Sequence, residues 1–422
     1  MSKFTKVIKS GNQTKIIWFI LLIGFLLRIA ALYKYGLNLS LNSDDAGYTR
    51  SAIILLQKKM LIYHDVNTPT VHIMPGQPIM LALIFMLFGH GNIGIYAAKV
   101  VMIFLGIGSI YCIYLIGKYV FNSKIGLIAA FFMAIFIPQV LVDNLLLTES
   151  PFTLLSLFLI YYSIKLANEK KMIHFYWVIS LYILAIYFRP TIALFPLVLL
   201  VYLLLKKYPF KLMVKQAIIA VFILLITLGP WWIRNYIQFH EFIPLSGGAG
   251  NPLLLGAYQG NIVPEESYQS VLDRIQAEHP HLDAYDDMKE QERIAKEEIK
   301  KMWHRDKKAF LYSYAYIKPK ILWGSQFYWI EIFHIKSSWI QKINPLILAA
   351  SFIGMMLSFV LFSKKWREYL FLLAFIVYFT VLNCIYLAYD RYNLPLMPFI
   401  LLFVGVCIFS ILNLFRKKEL VK

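Results

Sequence analysis

The sequence predicts an all-α, polytopic membrane protein with about ten transmembrane helices, possibly more. Re-entrant or interfacial helices and a small helical segment on the outer face would complete it. Three observations carry this reading. Apolar residues make up 59% of the 422-residue chain and charged residues only 15%, whereas a soluble globular chain is nearer half apolar and a quarter charged. Apolar stretches close to the ~20 residues needed to cross a hydrocarbon core recur almost from end to end. The cations between them fall mainly in alternate connections, the pattern that fixes the orientation of membrane helices.

Taken in order, the spans fall at about 16–36, 95–117, 125–142, 150–167, 174–188, 190–205, 214–233, 343–362, 368–388 and 394–414. The first follows a basic stretch (Lys3, Lys6, Lys9, Lys15) and lacks a small-residue cleavage site, so it reads as an uncleaved span rather than a signal peptide. A loop over 37–94 comes next. Within it, Pro75-Gly76-Gln77-Pro78 opens an apolar run from Ile79 to Phe88, closed by Gly89. That run is too short to span and predicts an interfacial or re-entrant helix. The spans 174–188 and 190–205 are short, and Arg189-Pro190 interrupts them where the chain would turn.

The one long polar stretch is 234–342. Its middle, Glu265 to Lys308, has Glu292/Lys296 and Glu297/Lys301 at i,i+4 spacing, with Ile294, Ile299 and Trp303 as an apolar stripe. One or two amphipathic helices are expected there. The loop Ser246-Gly247-Gly248-Ala249-Gly250-Asn251-Pro252 precedes them and is no dinucleotide fingerprint, because no strand leads into it. Cys112, Cys384 and Cys407 lie in apolar runs without metal-ligand spacing and read as small buried hydrophobes. There is no internal repeat, so residues 1–422 form a single membrane domain.

The formal charge of +19 orients the spans and does not point to nucleic acid. With the N-terminus inside, the cytoplasmic connections hold Lys118 and Lys124; Lys165, Lys170 and Lys171; Lys206, Lys207, Lys211 and Lys215; Lys364, Lys365 and Arg367. A tail with Arg416, Lys417, Lys418 and Lys422 puts the C-terminus inside as well. The loop 37–94, the step from Asp143 to Glu149, Arg189, the segment 234–342 and Asp390-Arg391 then lie outside. An integral cell-membrane protein with its chemistry on the extracytoplasmic face is expected.

Two groups on that face have a chemical use. Asp44 and Asp45 follow the first span end. They read either as a solvated loop pair or as working carboxylates. In the second case one takes a proton from an incoming hydroxyl or amine, and the other tunes its partner, binds substrate hydroxyls or holds a divalent metal. Arg28 lies in the outer half of the first span, Arg189 and Arg234 sit at outer span ends and Arg391 opens the last span, all against the trend of the other cations. A lone boundary arginine snorkels to the interface; four at one depth suit the bidentate recognition of a lipid phosphate. Glu149 begins a span, where it either complements the helix dipole or serves the site. Asp390 pairs with Arg391 or Arg234, or acts functionally. His64, His72 and His90 lack metal-ligand spacing.

An ordered set of short stretches resembles the GT-C integral-membrane glycosyltransferases, in the bacterial branch related to protein O-mannosyltransferases and the lipid A aminoarabinose transferase. Asp44-Asp45-Ala46-Gly47-Tyr48 with Ser51-Ala52 is similar to the acidic signature of that family's first outer loop, and Pro75-Gly76-Gln77-Pro78 to Phe88-Gly89 resembles the segment after it. Thr148-Glu149-Ser150, Phe188-Arg189-Pro190-Thr191, Pro230-Trp231-Trp232-Ile233-Arg234-Asn235-Tyr236 and Arg391-Tyr392-Asn393-Leu394-Pro395 continue the likeness over most of the chain. Asp45 stands where the family often has Glu, and Met74 precedes Pro75 where a Lys-Pro-Pro variant has Lys.

The resemblance implies a GT-C fold and transfer of a sugar from a polyprenyl-phosphate donor, with inversion, on the outer face. Carried onto matching positions, it makes Asp44 the general base. Asp45, Tyr48, Glu149, Arg189, Arg234, Arg391 and Tyr392 become the substrate-binding candidates. The acceptor is a glycan, lipid or protein of the cell envelope. No organic cofactor is called for, and a divalent metal at Asp45 stays open. The competing reading is a polytopic transporter or a flippase for lipid-linked sugars, which would place ionisable groups or broken helices near the midplane.

Overall fold

The computed structural model describes residues 3–419, with side chains described from 12 to 414. No strand occurs among the described residues. The chain begins with α1 (Lys3–Tyr35), α2 (Asp44–Lys58), α3 (Gly76–Phe88), α4 (Asn92–Val120), α5 (Ser123–Ile135) and α6 (Ile137–Val142). It continues through α7 (Glu149–Glu169), α8 (Met172–Phe188), α9 (Phe195–Leu205) and α10 (Phe210–Phe239). The predicted outer segment contains α11 (Gly250–Ala257), α12 (Tyr268–Glu278), α13 (Ala284–Arg305), α14 (Lys307–Tyr312) and α15 (Lys318–Gly324). The chain closes with α16 (Ser337–Leu361), α17 (Trp366–Ile385) and α18 (Met397–Glu419).

Seven stretches of the described residues are long and apolar enough to cross a membrane, and three of four shorter apolar helices fall on the remaining predicted spans. The fourth, α3, is the predicted interfacial helix. The protein is therefore a multi-pass, all-helical membrane protein. Helix α18 lies at the centre and packs on α16 and α5, while α4 packs on α5, α7 and α1. Helix α10 has the opposite character: Ile218, Phe222, Leu225, Ile226 and Ile233 are all exposed along it. A row of exposed apolar side chains on a chain this hydrophobic is a face that lipid covers.

Three elements differ from the sequence reading. The span predicted over 125–142 is broken, with Phe136 in an extended conformation between α5 and α6. Pro138 explains the break, because it has no N–H for the carbonyl of Ala134 and its ring crowds that carbonyl, whereas it fits the first turn of a new helix, α6. The Arg28 side chain takes up that carbonyl, its Nη1 donating to Ala134 O at 3.1 Å. The first outer loop holds a helix, α2, with Asp44 and Asp45 in its first turn and Lys58 in its last, both favourable to the helix dipole. The middle of the outer segment forms two helices, α12 and α13, within the one or two expected there, while α11, α14 and α15 beside them were not anticipated. On α13, Glu292 pairs with Lys296 at 2.5 Å as predicted, but Lys301 pairs with Glu298 and Glu297 with Arg293.

The packing separates two ends. Lys206 Nζ donates to Asn168 at 2.7 Å and to Glu368 at 2.8 Å. These contacts gather the predicted cytoplasmic connections after α7, α9 and α16 at one end. Glu149, first residue of the 21-residue α7, lies ~30 Å away at 1.5 Å per residue. The terminal cations Lys3, Lys6, Lys9, Arg416, Lys417, Lys418 and Lys422 lie outside the residues whose side chains are described.

Candidate active site

The two aspartates at the start of α2 point to different partners. Asp45 is buried and accepts four hydrogen bonds: from Ser40 Oγ at 2.7 Å, and from the amides of Leu41 (2.8 Å), Ser43 (3.3 Å) and Ala46 (3.0 Å). It ties the loop 40–43 to the helix that follows. A carboxylate spent in this way has little left for a metal, and the described residues bring no three His, Cys, Asp or Glu side chains together as ligands. These residues do not fit a bound divalent ion.

Asp44 turns to the other side. Its Oδ1 accepts from Tyr63 Oη at 2.7 Å and its Oδ2 from Arg391 Nη1 at 2.5 Å. The side chain remains 42% exposed, so an incoming group can reach it. Arg391 is buried and donates through Nε and Nη2 to Glu149. Glu149 has no exposure at all and also receives Arg189 Nη2 at 2.6 Å. Arg189 Nε in turn donates to Thr148 Oγ1 at 2.8 Å. The result is a chain of contacts, Tyr63–Asp44–Arg391–Glu149–Arg189, with two carboxylates against two guanidinium groups. Buried charges persist only when paired and hydrogen-bonded, and these are.

Aromatic rings frame the charges. The Arg189 guanidinium lies 5.7 Å from the Phe152 ring and 5.9 Å from that of Tyr392, and Arg391 lies 5.7 Å from Phe327. Tyr48 is buried with its ring 5.5 Å from Tyr63. Tyr63 stacks on His72 at 5.2 Å, and His64 meets His72 edge-on at 4.6 Å. Burial, with Asp44 and Tyr48 beside it, pushes the Tyr63 hydroxyl well above its usual range, so it stays protonated and donates. Burial pulls His72 down to about 4 and lowers His64 as well. Both rings are neutral at pH 7.

The surroundings seat these groups through close backbone approach. A Cβ on Gly76 would stand 2.5 Å from Tyr187 O, so glycine lets α3 abut the end of α8 beside Arg189. Across the site, Gly247 N–H donates to Val71 O at 2.7 Å, and a Cβ on Gly248 would meet His72 O at 2.5 Å. The glycine loop thus lies directly against His72.

The remaining predicted residues separate. Arg234 has no carboxylate partner among the described residues: Nη1 donates to Asn235 Oδ1 at 3.0 Å, Nη2 is buried without a partner, and the guanidinium lies 5.2 Å from Trp231 and 5.4 Å from Phe239. Arg28 is fully buried and bound to Asp143 at 2.7 Å, while Asp143 also accepts from Gln139 and Ser150. Asp390 accepts from Ser325 Oγ at 3.1 Å and pairs with neither Arg391 nor Arg234. Sequence reasoning missed Tyr63. It lies 19 residues beyond Asp44 in non-helical chain, where no periodicity ties the two.

Comparison with known proteins adds the fold context. Residues 68–233 match the family model described as dolichyl-phosphate-mannose-protein mannosyltransferase. Among curated proteins, none matches the chain by sequence. The archaeal oligosaccharyltransferase AglB from Archaeoglobus fulgidus, solved with an inhibitory peptide and a dolichol-phosphate, superposes with a TM-score of 0.55 at 12% identity, over 98% of this chain and 52% of that one. The oligosaccharyltransferase of the same organism tethered to an acceptor peptide gives 0.59 at 13% identity, over 97% and 51%. ArnT from Cupriavidus metallidurans in the apo state gives 0.41 at 13% identity, over 94% and 77%. The chain spans about half the length of the oligosaccharyltransferases it matches, and the likeness at these identities is one of fold.

Proposed function

The chain has the GT-C glycosyltransferase fold, and from that premise we propose that it transfers a sugar from a polyprenyl-phosphate donor to an acceptor at the extracytoplasmic membrane boundary. One observation carries the reading: Asp44, accessible and oriented by Tyr63 and Arg391, stands at the edge of a buried arginine–glutamate cluster. The acceptor is a glycan, lipid or protein of the cell envelope. The dolichol-phosphate held by the Archaeoglobus enzyme supports a lipid-phosphate donor here by analogy of fold.

In the proposed reaction an acceptor hydroxyl approaches the exposed face of Asp44. The carboxylate takes its proton as the acceptor oxygen bonds to the anomeric carbon, and the bond from that carbon to the phosphate oxygen breaks on the opposite side. The phosphate leaves with the electron pair, and the configuration inverts. Tyr63 and Arg391 hold one Asp44 oxygen each, which fixes the carboxylate without covering it. Arg189 and Arg391 balance the carboxylates. Arg234, whose charge no carboxylate opposes among the described residues, is the arginine with charge to spare for the departing phosphate.

The orientation belongs to the same proposal. Both termini and the cationic connections near Lys206 face the cytoplasm, and the site near Glu149 faces outward. Residues 1–422 act as one membrane domain, in which 37–94 supplies the acidic motif and 234–342 covers the site. The direct test supplies the purified chain with a radiolabelled polyprenyl-phosphate sugar and cell-envelope fractions. Label should move into a glycan, lipid or protein fraction. Movement of intact donor between leaflets without cleavage would instead indicate a flippase.

A further inference from the structure

Behind the catalytic aspartate, on the Asp45 face of α2, lies a cavity of about 340 Å³. Its walls are mostly apolar, with Leu37, Ile53, Ile54, Ile95 and Leu146 among them. Two cations line it. Lys99 is buried on α4, and its Nζ donates to the carbonyls of Gly36 (2.8 Å) and Leu39 (2.7 Å). Arg50 has no hydrogen-bond or ion-pair partner among the described residues. The one carboxylate in the wall, Asp45, already accepts four hydrogen bonds from its own loop and helix. The cavity therefore carries a net charge of about +1, borne by a guanidinium free to bind.

A second hollow lies next to it between α1 and α4, lined by Ile29, Leu32, Tyr33 and Tyr96, the last adjacent in sequence to Ile95 of the first cavity. Tyr33 and Ile93 beside it are 92% and 72% exposed. An exposed apolar hollow next to a cavity that holds an unpaired arginine complements one kind of ligand, with a hydrocarbon part and an anionic part.

We propose that this cavity binds the head of a net anionic phospholipid, whose charge answers the cavity's positive one, with Arg50 on the phosphate and an acyl chain in the α1–α4 hollow. The site is separate from the Asp44–Arg391 cluster and lies on the other face of the same helix. It does not depend on the transfer reaction, and its test reads lipid retention rather than turnover.

Native mass spectrometry of the full chain, released from micelles with equal phosphatidylglycerol and phosphatidylcholine, provides the test. The wild type should retain phosphatidylglycerol in preference. Arg50→Gln should reduce that preference roughly tenfold, equivalent to about 1.4 kcal/mol, and Arg50→Lys should keep part of it. Ile53→Trp fills the cavity without changing charge and should lose the lipid too. Arg293→Gln, on the solvated face of α13, should behave as wild type. An unchanged preference in both Arg50→Gln and Ile53→Trp would overturn the proposal. Displacement of the lipid by glycerophosphate at matched concentration would also overturn it, because the site would then read phosphate alone.

Discussion

Arg391 donates from Nη1 to Asp44 Oδ2 at 2.5 Å across 347 residues of sequence, and the same guanidinium binds the buried Glu149. One side chain of the segment before α18 therefore links the start of α2 to the start of α7. It joins an accessible carboxylate, suited to chemistry, with an enclosed one whose role is to hold charge in place.

Arg391→Ala should accordingly do more than weaken substrate binding. It leaves Glu149, which has no exposure, with Arg189 alone, and breaking a buried pair from one side costs roughly 3–5 kcal/mol. Glu149→Gln should also destabilise, because it strips a partner from both arginines. The double variant should lose less than the sum of the singles, since the two residues share one network. Thermal unfolding in detergent checks this, and strict additivity would contradict the network.

Arg234→Gln should have the opposite profile. No carboxylate depends on Arg234, so stability should change by about 1 kcal/mol or less. If its guanidinium meets the donor phosphate, the apparent donor KM should rise roughly tenfold or more, the worth of a charge-assisted hydrogen bond. Steady-state kinetics with a short-chain polyprenyl-phosphate sugar separates the two effects. An unchanged donor KM would remove Arg234 from the phosphate site.

The fold was legible because it rests on composition and spacing: ten apolar stretches needed no tertiary information. Its departures have local causes. Pro138 breaks one stretch, and the acidic first turn of α2 makes a helix of what looked like loop. The arginines were legible as a set but not as individuals. Spacing groups Arg28, Arg189, Arg234 and Arg391 together, yet Arg28 is locked to Asp143, two serve Glu149, and of the four only Arg234 lacks a carboxylate among the described residues. Partner choice across hundreds of residues leaves no trace in spacing. Tyr63 was hidden for the same reason, and Asp45 resolves from a site candidate into a backbone cap only when its four donors are seen.

The stacked histidine gives a pH signature. Burial holds His72 near 4, below the ordinary 6.5, so the unfolded chain binds a proton that the folded one refuses between those values. Its contribution is fully present above about pH 6.5 and is lost as pH falls toward about 4. The melting temperature should fall over this interval, and His72→Phe should flatten the fall. An equal slope in both proteins would show that His72 titrates as an ordinary surface histidine.

The central claim is that Asp44 is the base, and replacing it with asparagine is its most direct test. Asp44→Asn keeps the size of the side chain and its ability to accept from Tyr63 while removing its ability to take a proton. With purified protein and a saturating polyprenyl-phosphate sugar, turnover should fall roughly 10²–10⁴-fold, while donor binding, measured separately, stays close to wild type. Near-normal turnover in Asp44→Asn would contradict the account.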